Sequence, residues 1–449
     1  MNVDYENENH LFDMLRNRSA FLVCIGSGVM CMEWKNIMSQ SAHGTALRME
    51  WTPQGQPSRT TLRALLGITK NTECQPKHSG MQGQLQKATD VIFLQNYSSM
   101  VPVALLVEHL SSVSFRRAWT HNGDAARGTS APCCTVLDAC AAPGGKTSLL
   151  LSLLQERAEE ERTAKAEAIS SLSSITEPFR VVCCERSRPR LEQLVNLIHH
   201  HFATEPALPS ASPSWSADSA DNVPFVTRVV EFHCVDTNKF LKRKLTDVAG
   251  SCGGSVASHT ESFDAVLLDP PCTGMGLRPK LMPHMHSIAS IQESSDYQRK
   301  LFDSCLHHIR GSPKVPGVLV YSTCTTTLEE NEANVLHFLR TYPSLLLARA
   351  TTPTQRALCN LSVVRRYGSQ KETDGGQSSS SPCSFLLQKE ITEVQVAKER
   401  AAASEGLSST DPLLLLRFMP RPPDAYDDTS EDSVGFFVAV FLWRGYTGA

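Results

Sequence analysis

Short apolar runs alternate with helical patterns from residue 136 onward. Five runs have the length and the mainly apolar character of buried strands. They cover residues 136–141, 181–184, 229–235, 265–268 and 317–321. Helical patterns at 148–155, 191–200 and 297–310 separate some of these runs, and an apolar run at 435–443 predicts a closing strand. Strands that alternate with helices predict an α/β fold with a mostly parallel sheet.

The first 132 residues carry weaker patterns. Residues 18–51 predict two short strands, at 21–23 and 47–51, with a helical turn between them. Residues 52–87 are rich in Gly, Pro, Ser, Thr and Gln, which predicts a linker or insertion. Residues 88–132 predict a helical lead-in, because apolar side chains recur at helical spacing from 91 to 110.

The main domain is predicted at 133–449, and it contains segments of low complexity or without periodicity. These segments predict insertions near 155–178, 203–224, 246–262 and 351–384. Just after the last of them, residues 385–387 are a candidate sixth strand. With the closing strand, the predicted sheet has seven strands.

Composition narrows the class of protein. The 449-residue chain is 41% hydrophobic and 20% charged, which is typical of a soluble globular protein, and no apolar run approaches the length of a membrane span. The 15 cysteines are odd in number and form no C-x-x-C motif, which indicates reduced thiols. We therefore expect no membrane association and a cytoplasmic protein.

The formal net charge of −3 excludes a global basic field. Any binding to nucleic acid must use local patches, and one candidate is the basic run Lys239, Lys242, Arg243 and Lys244. A solvated helix face is the more usual explanation of such a run. The run His199–His201 predicts a solvated helix end rather than a metal site, because no Cys or carboxylate stands at ligand spacing.

Acids and thiols follow the predicted strands. Asp269 and Cys272 come after the fourth strand, and Cys324 comes after the fifth. Glu185 ends the second strand and Asp236 follows the third. Because parallel strands present their carboxyl ends at one edge of the sheet, we expect these side chains to share one ligand site.

A glycine turn follows the first strand of the main domain. Residues 142–147 read A-P-G-G-K-T and lead directly into a helix. The turn matches neither the P-loop nor the dinucleotide fingerprint, so a cofactor bound without phosphate recognition, such as S-adenosyl-L-methionine, is expected. A purely structural tight turn remains the alternative.

Two thiols beside an acid suggest methylation of carbon 5 of a pyrimidine. Carbon 5 of cytosine is a poor nucleophile, and attack of a thiolate on carbon 6 converts the ring to an enamine that accepts a methyl group. A carboxyl group at ring N3 favours the addition, and a second thiol or base assists release. The attacking thiol needs a surrounding that favours its ionised form.

Three motifs resemble those of the Sun/RsmB-type RNA cytosine-C5 methyltransferases. They are V-L-D-A-C-A-A-P-G-G-K-T at 136–147, L-L-D-P-P-C-T-G-M-G at 267–276 and V-Y-S-T-C-T at 320–325. The resemblance covers about residues 88–449. Segments 93–96 and 274–279 look most like the branch that carries a PUA domain and methylates tRNA, and 25–49 is similar to the last part of that domain.

The resemblance implies a Rossmann-like S-adenosylmethionine-dependent methyltransferase fold, preceded by a partial PUA-like segment at 1–51. It implies Cys324 as the nucleophile, Cys272 as the thiol that promotes release, and Asp269 as the acid. It also implies a cofactor site made by Cys140, Ala141, Ala142, Pro143, Gly144, Gly145, Lys146, Glu185, Arg190, Asp236 and Asp269. The implied partner is RNA, specifically tRNA, and we expect a monomer without a metal ion.

Two positions depart from the family pattern, and other readings remain open. Pro270 stands where a small residue is usual, and Glu185 replaces the commoner Asp. Neither change removes a required chemical group.

Other functions remain open. The alternatives are a catalytically silent RNA scaffold that binds S-adenosylmethionine, methylation of rRNA or mRNA, and a DNA-type enzyme in which Cys272 attacks. Methylation of an exocyclic amine is disfavoured because Cys272 stands where that chemistry uses an aromatic residue.

Overall fold

The fold was analysed in a computed structural model. It describes residues 20–25, 31–33, 46–50, 92–111, 114–115, 134–163, 178–202, 225–242, 262–277, 286–361, 382–402, 411–418 and 435–446. Within these residues the strands are β1 Ala20–Ile25, β2 Cys31–Glu33, β3 Ala46–Glu50, β4 Ile92–Asn96, β5 Cys134–Asp138, β6 Phe179–Glu185, β7 Val230–Cys234, β8 Ala265–Leu268, β9 Gly317–Thr323, β10 Leu345–Leu347, β11 Leu415–Phe418 and β12 Phe436–Trp443.

The described helices lie between these strands. They are α1 Tyr97–His109, α2 Gly145–Thr163, α3 Arg188–Phe202, α4 Phe225–Val229, α5 Ile288–Leu306, α6 Glu332–Thr341, α7 Pro353–Leu361 and α8 Pro382–Ala402. None of the described helices is both long enough and apolar enough to cross a membrane.

The main sheet confirms the predicted α/β fold. Its strands follow the order β10-β12-β9-β8-β5-β6-β7, and β11 is an eighth strand that pairs with β12. The five strands from β9 to β7 are parallel, whereas β12 runs antiparallel to its neighbours. This is the mostly parallel, Rossmann-like sheet that the strand and helix pattern predicts.

Four parallel strands, β5, β6, β8 and β9, are largely buried on both faces, which explains their mainly apolar sequences. The edge strand β7 differs, because only its first residue, Val230, is buried. Alternate residues point to opposite sides, so Val136 and Leu137 of β5 belong to two different cores. The first core packs against α1, α2 and α3, and the second packs against α5 and α6. Two helical layers therefore hold the strand ends in fixed positions.

The sixth strand of the main sheet is β10, at Leu345–Leu347, and not the predicted segment 385–387. That segment lies inside α8, which covers the sheet edge. Gln395 of α8 donates to the carbonyl of Leu347 and accepts from its amide, at 3.2 and 2.9 Å. The side chain thus pairs with the edge backbone as a further strand would, and the tertiary contact overrides the apolar pattern.

Two other predictions are corrected. The predicted helical region from 91 begins with β4, and α1 starts only at Tyr97. Inside the predicted insertion at 351–384, residues 353–361 form helix α7, with Leu358 and Cys359 buried against the main core. The Glu-, Ala- and Ser-rich sequence from 158 predicts a helical extension within the insertion at 155–178, and helix α2 does continue to Thr163.

The N-terminal strands form a second sheet in the order β2-β3-β1-β4. The two strands predicted within 18–51 are present as β1 and β3, and β2 is additional. The predicted linker 52–87 and the predicted insertions at 203–224 and 246–261 lie outside the described residues. A PUA-like character for 1–51 stays a prediction.

Candidate active site

The order of the main sheet locates a candidate site between β5 and β8. From β5 the chain continues through β6 and β7 on one side, and it returns to β8 and β9 on the other. The carboxyl ends at such a reversal leave a crevice in which α/β proteins bind ligands. All the acids and thiols predicted from the strand ends lie along this edge.

Two thiols meet where β8 and β9 end. The Sγ atoms of Cys272 and Cys324 are 3.4 Å apart, within hydrogen-bonding distance for sulfur. The hydrogen bond from Cys272 lowers the pKa of Cys324 below its usual value, and the Lys146 ammonium acts in the same direction against burial and Asp269. The same hydrogen bond, with burial, raises the pKa of Cys272. Of the two thiols, Cys324 is therefore the one whose ionised form the surroundings favour.

Asp269 is held at the tip of β8 by two donors. Lys146 Nζ donates to its Oδ2 at 2.7 Å, and the Ser322 hydroxyl donates to its Oδ1 at 3.0 Å. Burial lowers the pKa of Lys146, but the charge and hydrogen bond of Asp269 outweigh it and leave the pKa raised. The ammonium thus stays charged between the carboxylate and the Cys324 sulfur.

Glu185 and Arg190 form one unit at the end of β6. Glu185 is 5% exposed, and its Oε1 accepts from the Ser187 amide at 2.8 Å. Arg190 Nη1 lies 3.4 Å from Glu185 Oε2, and Nη2 donates to the Ala142 carbonyl at 2.7 Å. Arg190 therefore joins the acid at the end of β6 to the glycine turn after β5.

Asp236, beyond the end of β7, is paired with an aromatic residue of α5. The Tyr297 hydroxyl donates to Asp236 Oδ2 at 2.6 Å, and the Asn238 amide donates to Oδ1 at 3.0 Å. The Tyr297 ring also lies 5.9 Å from the guanidinium carbon of Arg186. Burial and the bond to Asp236 raise the pKa of Tyr297, so the phenol stays protonated.

The turn after β5 depends on one glycine. Gly144 has φ +108°, and a Cβ there would lie 2.8 and 2.9 Å from the Leu194 and Leu197 side chains of α3. The turn is thus left-handed and closely packed, which only glycine permits without strain. Thr147 donates to Asp138 Oδ2 at 2.8 Å and fixes the start of α2 to the end of β5.

Most of the predicted site residues line one cavity of about 640 Å³. Seven of the predicted cofactor residues line it, as do both thiols. The seven are Cys140, Ala142, Pro143, Glu185, Arg190, Asp236 and Asp269. Ala141, Gly144, Gly145 and Lys146 are not among its lining residues; Gly144 shapes the turn, and Lys146 reaches Asp269 instead.

The acidic segment Glu329–Glu332 predicts the start of a helix, with its acids near the positive end of the helix dipole, but most of the segment precedes the helix. Helix α6 begins only at Glu332, and Glu330 and Asn331 are fully buried in the loop before it. Glu330 accepts from the Thr273 amide at 3.0 Å and from its hydroxyl at 2.6 Å. Its carboxylate therefore holds the Cys272 loop rather than a helix dipole.

Sequence reasoning missed Tyr297, Ser322 and Glu330 as residues of the site. The position of Ser322 beside Cys324 in the strand-end motif could have indicated the serine. Tyr297 and Glu330 carry no comparable signal, because their partners lie 61 and 57 residues away along the chain. The described residues contain no group of three or more His, Cys, Asp or Glu side chains that could hold a metal ion.

The sequence is similar to those of known RNA methyltransferases. Residues 234–377 match the family model described as 16S rRNA methyltransferase RsmB/F. The rRNA (cytosine-C(5))-methyltransferase NOP2C of Arabidopsis thaliana is 29% identical over 245 residues, which are 47% of this chain and 40% of that protein. The tRNA (cytosine(72)-C(5))-methyltransferase NSUN6 of Mus musculus is 32% identical over 212 residues, which are 47% of this chain and 33% of that protein.

A crystal structure of NSun6 from Pyrococcus horikoshii with SFG is 18% identical, with a TM-score of 0.42 over 91% of this chain and 62% of that one. The chain covers less than half the length of the two curated relatives it matches. The sequence matches confirm the resemblance to the Sun/RsmB-type RNA cytosine-C5 methyltransferases, a class whose cofactor is S-adenosyl-L-methionine.

Proposed function

We propose that this chain, related in sequence to the RsmB/F-type enzymes, is an S-adenosylmethionine-dependent RNA (cytosine-C5)-methyltransferase that acts on tRNA. The observation that carries the proposal is the pair of thiols, 3.4 Å apart, beside Asp269 in a cavity lined by the predicted cofactor residues. A DNA-type enzyme needs only the thiol at Cys272, so the second thiol favours the RNA class.

The residues of the cavity are suited to S-adenosyl-L-methionine. Glu185 at the end of β6 can accept from ribose hydroxyls, and Asp236 can accept from an amino group. Ala139, Cys140, Ala142 and Pro143 line the same cavity. When bound, the cofactor supplies an electrophilic methyl group. We assign Arg190 to positioning, because its guanidinium fixes Glu185 to the turn at Ala142.

Cys324 is the proposed nucleophile. Its pKa is lowered by the hydrogen bond from Cys272, so a larger share of the thiol is ionised near neutral pH. The Cys324 thiolate forms a bond to carbon 6 of cytosine, and the electrons of the C5–C6 double bond then make carbon 5 the nucleophile that takes the methyl group.

Asp269 is the proposed partner of the cytosine ring. To act at ring N3 the carboxyl group must carry a proton, which it donates to N3 as the thiolate adds, so that the negative charge developing on the ring is neutralised. Lys146 and Ser322 orient Asp269 through its two oxygens. Lys146 also lies close enough to Cys324 to favour its thiolate.

Cys272 is proposed to promote release. After methyl transfer, carbon 5 carries both a proton and a methyl group. A base, which can be water, takes that proton; the C5–C6 double bond re-forms, and the Cys324 sulfur leaves carbon 6 as a thiolate. Cys272 lies at hydrogen-bonding distance from the departing sulfur. Without this thiol the covalent adduct should accumulate.

RNA is the proposed substrate class, and tRNA the proposed species, because the mouse relative is named as a tRNA enzyme. We also propose a cytoplasmic monomer. The proposed domains are a partial PUA-like segment at 1–51, a linker at 52–87, a lead-in at 88–132 and the methyltransferase domain at 133–449. The arrangement of β4 and α1 before the main sheet supports a lead-in of this kind.

The test is adduct formation by single cysteine variants. Cys272→Ala incubated with total tRNA and S-adenosylmethionine should give a denaturant-resistant protein–RNA adduct, and Cys324→Ala should not. The matched control is Cys234→Ala, which removes an exposed cysteine outside the lining of the cavity and should methylate without trapping.

The other outcomes distinguish the alternatives. An adduct with Cys324→Ala alone would give Cys272 the nucleophilic role. An adduct with rRNA or mRNA but not tRNA would overturn the substrate. Cofactor binding without an adduct or methyl transfer to any of these RNAs would indicate a silent scaffold.

A further inference from the structure

Glu330 is a buried carboxylate that the proposed chemistry does not use. Its side chain lies in the loop between β9 and α6 and is 0% exposed. Four hydrogen bonds satisfy it. Oε1 accepts from the Thr273 amide at 3.0 Å and from Gln298 Nε2 at 2.9 Å. Oε2 accepts from the hydroxyls of Thr273 and Thr327 at 2.6 and 2.8 Å.

The donors come from both loops that carry the thiols. Thr273 follows Cys272 directly, and Thr327 lies in the loop that begins at Cys324. Gln298 of α5 donates its second amide hydrogen to the Pro271 carbonyl at 3.0 Å, so it holds the other side of the Cys272 loop. A carboxylate has about four acceptor positions, and all four are used here. Two bonds reach the Cys272 loop through Thr273, one holds Thr327 within the loop of Glu330 itself, and one anchors the carboxylate to Gln298 of α5.

A hydroxyl pair reinforces the junction. The Oγ1 atoms of Thr273 and Thr325 are 2.7 Å apart. Because the Thr273 hydrogen is donated to Glu330, the Thr325 hydroxyl donates to Thr273. Residues 273 and 325 each follow one of the two cysteines, so this bond ties the chain immediately beyond both thiols.

We propose that Glu330 is a positioning residue that sets the separation of Cys272 and Cys324. By holding both loops, it keeps the two sulfur atoms at hydrogen-bonding distance and so maintains the thiolate of Cys324. The consequence for methylation rests on the proposed function, whereas the consequence for thiol reactivity does not.

The amide of Glu330→Gln cannot reproduce this arrangement. Its NH₂ group can only donate, so it would face two of the four donors and leave them unsatisfied in a buried site. We expect the Cys272 loop to move away from Cys324. The Cys324 thiol then loses its hydrogen bond from Cys272, and its pKa rises.

The experiment measures alkylation of Cys324 by iodoacetamide across a pH series, with mass spectrometry to locate the label. No RNA or cofactor is added. In Glu330→Gln the midpoint of the pH profile should move up by about one unit, which corresponds to a roughly tenfold lower rate below both midpoints. Glu329→Gln is the matched control, since it makes the same charge change on an exposed neighbour and should leave the profile unchanged.

A double variant tests whether Glu330 acts through Cys272. Cys272→Ala alone should raise the midpoint, and adding Glu330→Gln should raise it no further, because the hydrogen bond is already absent. Additive shifts would overturn the proposal, as would an unchanged profile in a folded Glu330→Gln protein. A purely structural role would lower thermal stability without moving the midpoint.

If Glu330→Gln does not fold, Thr273→Val replaces it. This variant removes the hydroxyl that links Glu330 to Thr325 but keeps the amide bond, so a smaller upward shift is expected. An unchanged midpoint there would contradict the proposal. Failure of methylation on every RNA with a normal alkylation response would instead count against the proposed function alone.

Discussion

The hydrogen bond between Cys272 and Cys324 is the residue-scale feature that distinguishes the two thiols. Both lie at strand ends and both are partly buried, yet Lys146 acts on Cys324 and favours its thiolate. The pKa of Cys272 is raised by the same contact. Two cysteines that look alike in the sequence therefore differ in the folded protein, where the pKa of one thiol is lowered and that of the other is raised.

A buried acid beside this site gives a prediction on stability. Burial raises the pKa of Asp138 from 3.8 to about 7, although its hydrogen bond from Thr147 and the Lys146 charge oppose the rise. Between these values the folded protein keeps a proton that the unfolded chain releases. The stability linked to this proton is complete below about pH 4 and is lost as the pH rises towards 7.

The asparagine in Asp138→Asn does not titrate, so this variant should not lose stability through residue 138 as the pH rises. Relative to the natural protein, its free energy of unfolding should increase from about pH 4 to 7 and level off above that range. Urea denaturation of both proteins across the range measures the difference. Thr147→Val, which removes a bond that lowers the pKa of Asp138, should extend the loss to higher pH. Parallel pH dependences for all three proteins would contradict the assignment.

At the scale of elements, the site depends on how strand ends are joined. Gly276 donates its amide to the Cys324 carbonyl at 2.9 Å, and its own carbonyl accepts from Gly435 at 2.8 Å. A Cβ on Gly276 would lie 2.0 Å from the Gly435 carbonyl oxygen. The loop after β8, the end of β9 and the start of β12 are thus in backbone contact, which leaves no space for a side chain.

A buried ion pair adds a second junction between elements. Arg417 of β11 donates to Glu332 at the start of α6, at 2.8 Å through Nε, and to the Thr326 carbonyl at 2.8 Å. Glu332 is 0% exposed. Arg417→Ala leaves this carboxylate buried without its charge partner, and we expect a loss of about 3–5 kcal/mol in the free energy of unfolding.

The matched control is Arg188→Ala, which breaks the exposed pair with Glu192, where the side chains are 81% and 63% exposed. That loss should be within about 1 kcal/mol. Denaturant unfolding of both variants makes the comparison. Similar small losses would show that the Arg417 pair adds little to the stability of the fold.

For the whole molecule, binding of the proposed RNA substrate would depend on local rather than net charge. The net charge is −3, so the chain as a whole does not attract a polyanion. Lys239 and Lys242 are exposed just beyond the end of β7, at the edge of the sheet that carries the site. Arg243 and Lys244 of the same run lie outside the described residues.

Replacing these lysines by alanine should weaken RNA binding more than it slows methyl transfer to RNA that is already bound. Lys239→Ala and Lys242→Ala should each weaken tRNA binding and reduce the slope of log affinity against log salt by about 0.7–0.9. Filter binding over a range of salt concentrations measures the slope. Lys314→Ala is the control, because this exposed lysine precedes β9 at the opposite edge of the sheet. Equal slopes in all variants would make the run a solvated face.

The parallel sheet, the glycine turn and the acids and thiols at the strand ends could all be predicted from the sequence alone. Strands buried on both faces need unbroken apolar runs, and a left-handed turn packed against α3 needs glycine, so both appear directly in the sequence. The strand-end position of Cys272 and Cys324 followed from the same pattern, because parallel strands end at one edge.

The distances between the site residues and their hydrogen-bond partners became clear only from the folded structure. Glu330, Tyr297 and Gln395 act through residues far away in sequence, so no local pattern could assign them. The apolar residues 385–387 fitted a strand or a helix equally, and packing of α8 over β10 selected the helix. The different pKa shifts of Cys272 and Cys324 also come from long-range contacts, which short-range periodicity in the sequence does not encode.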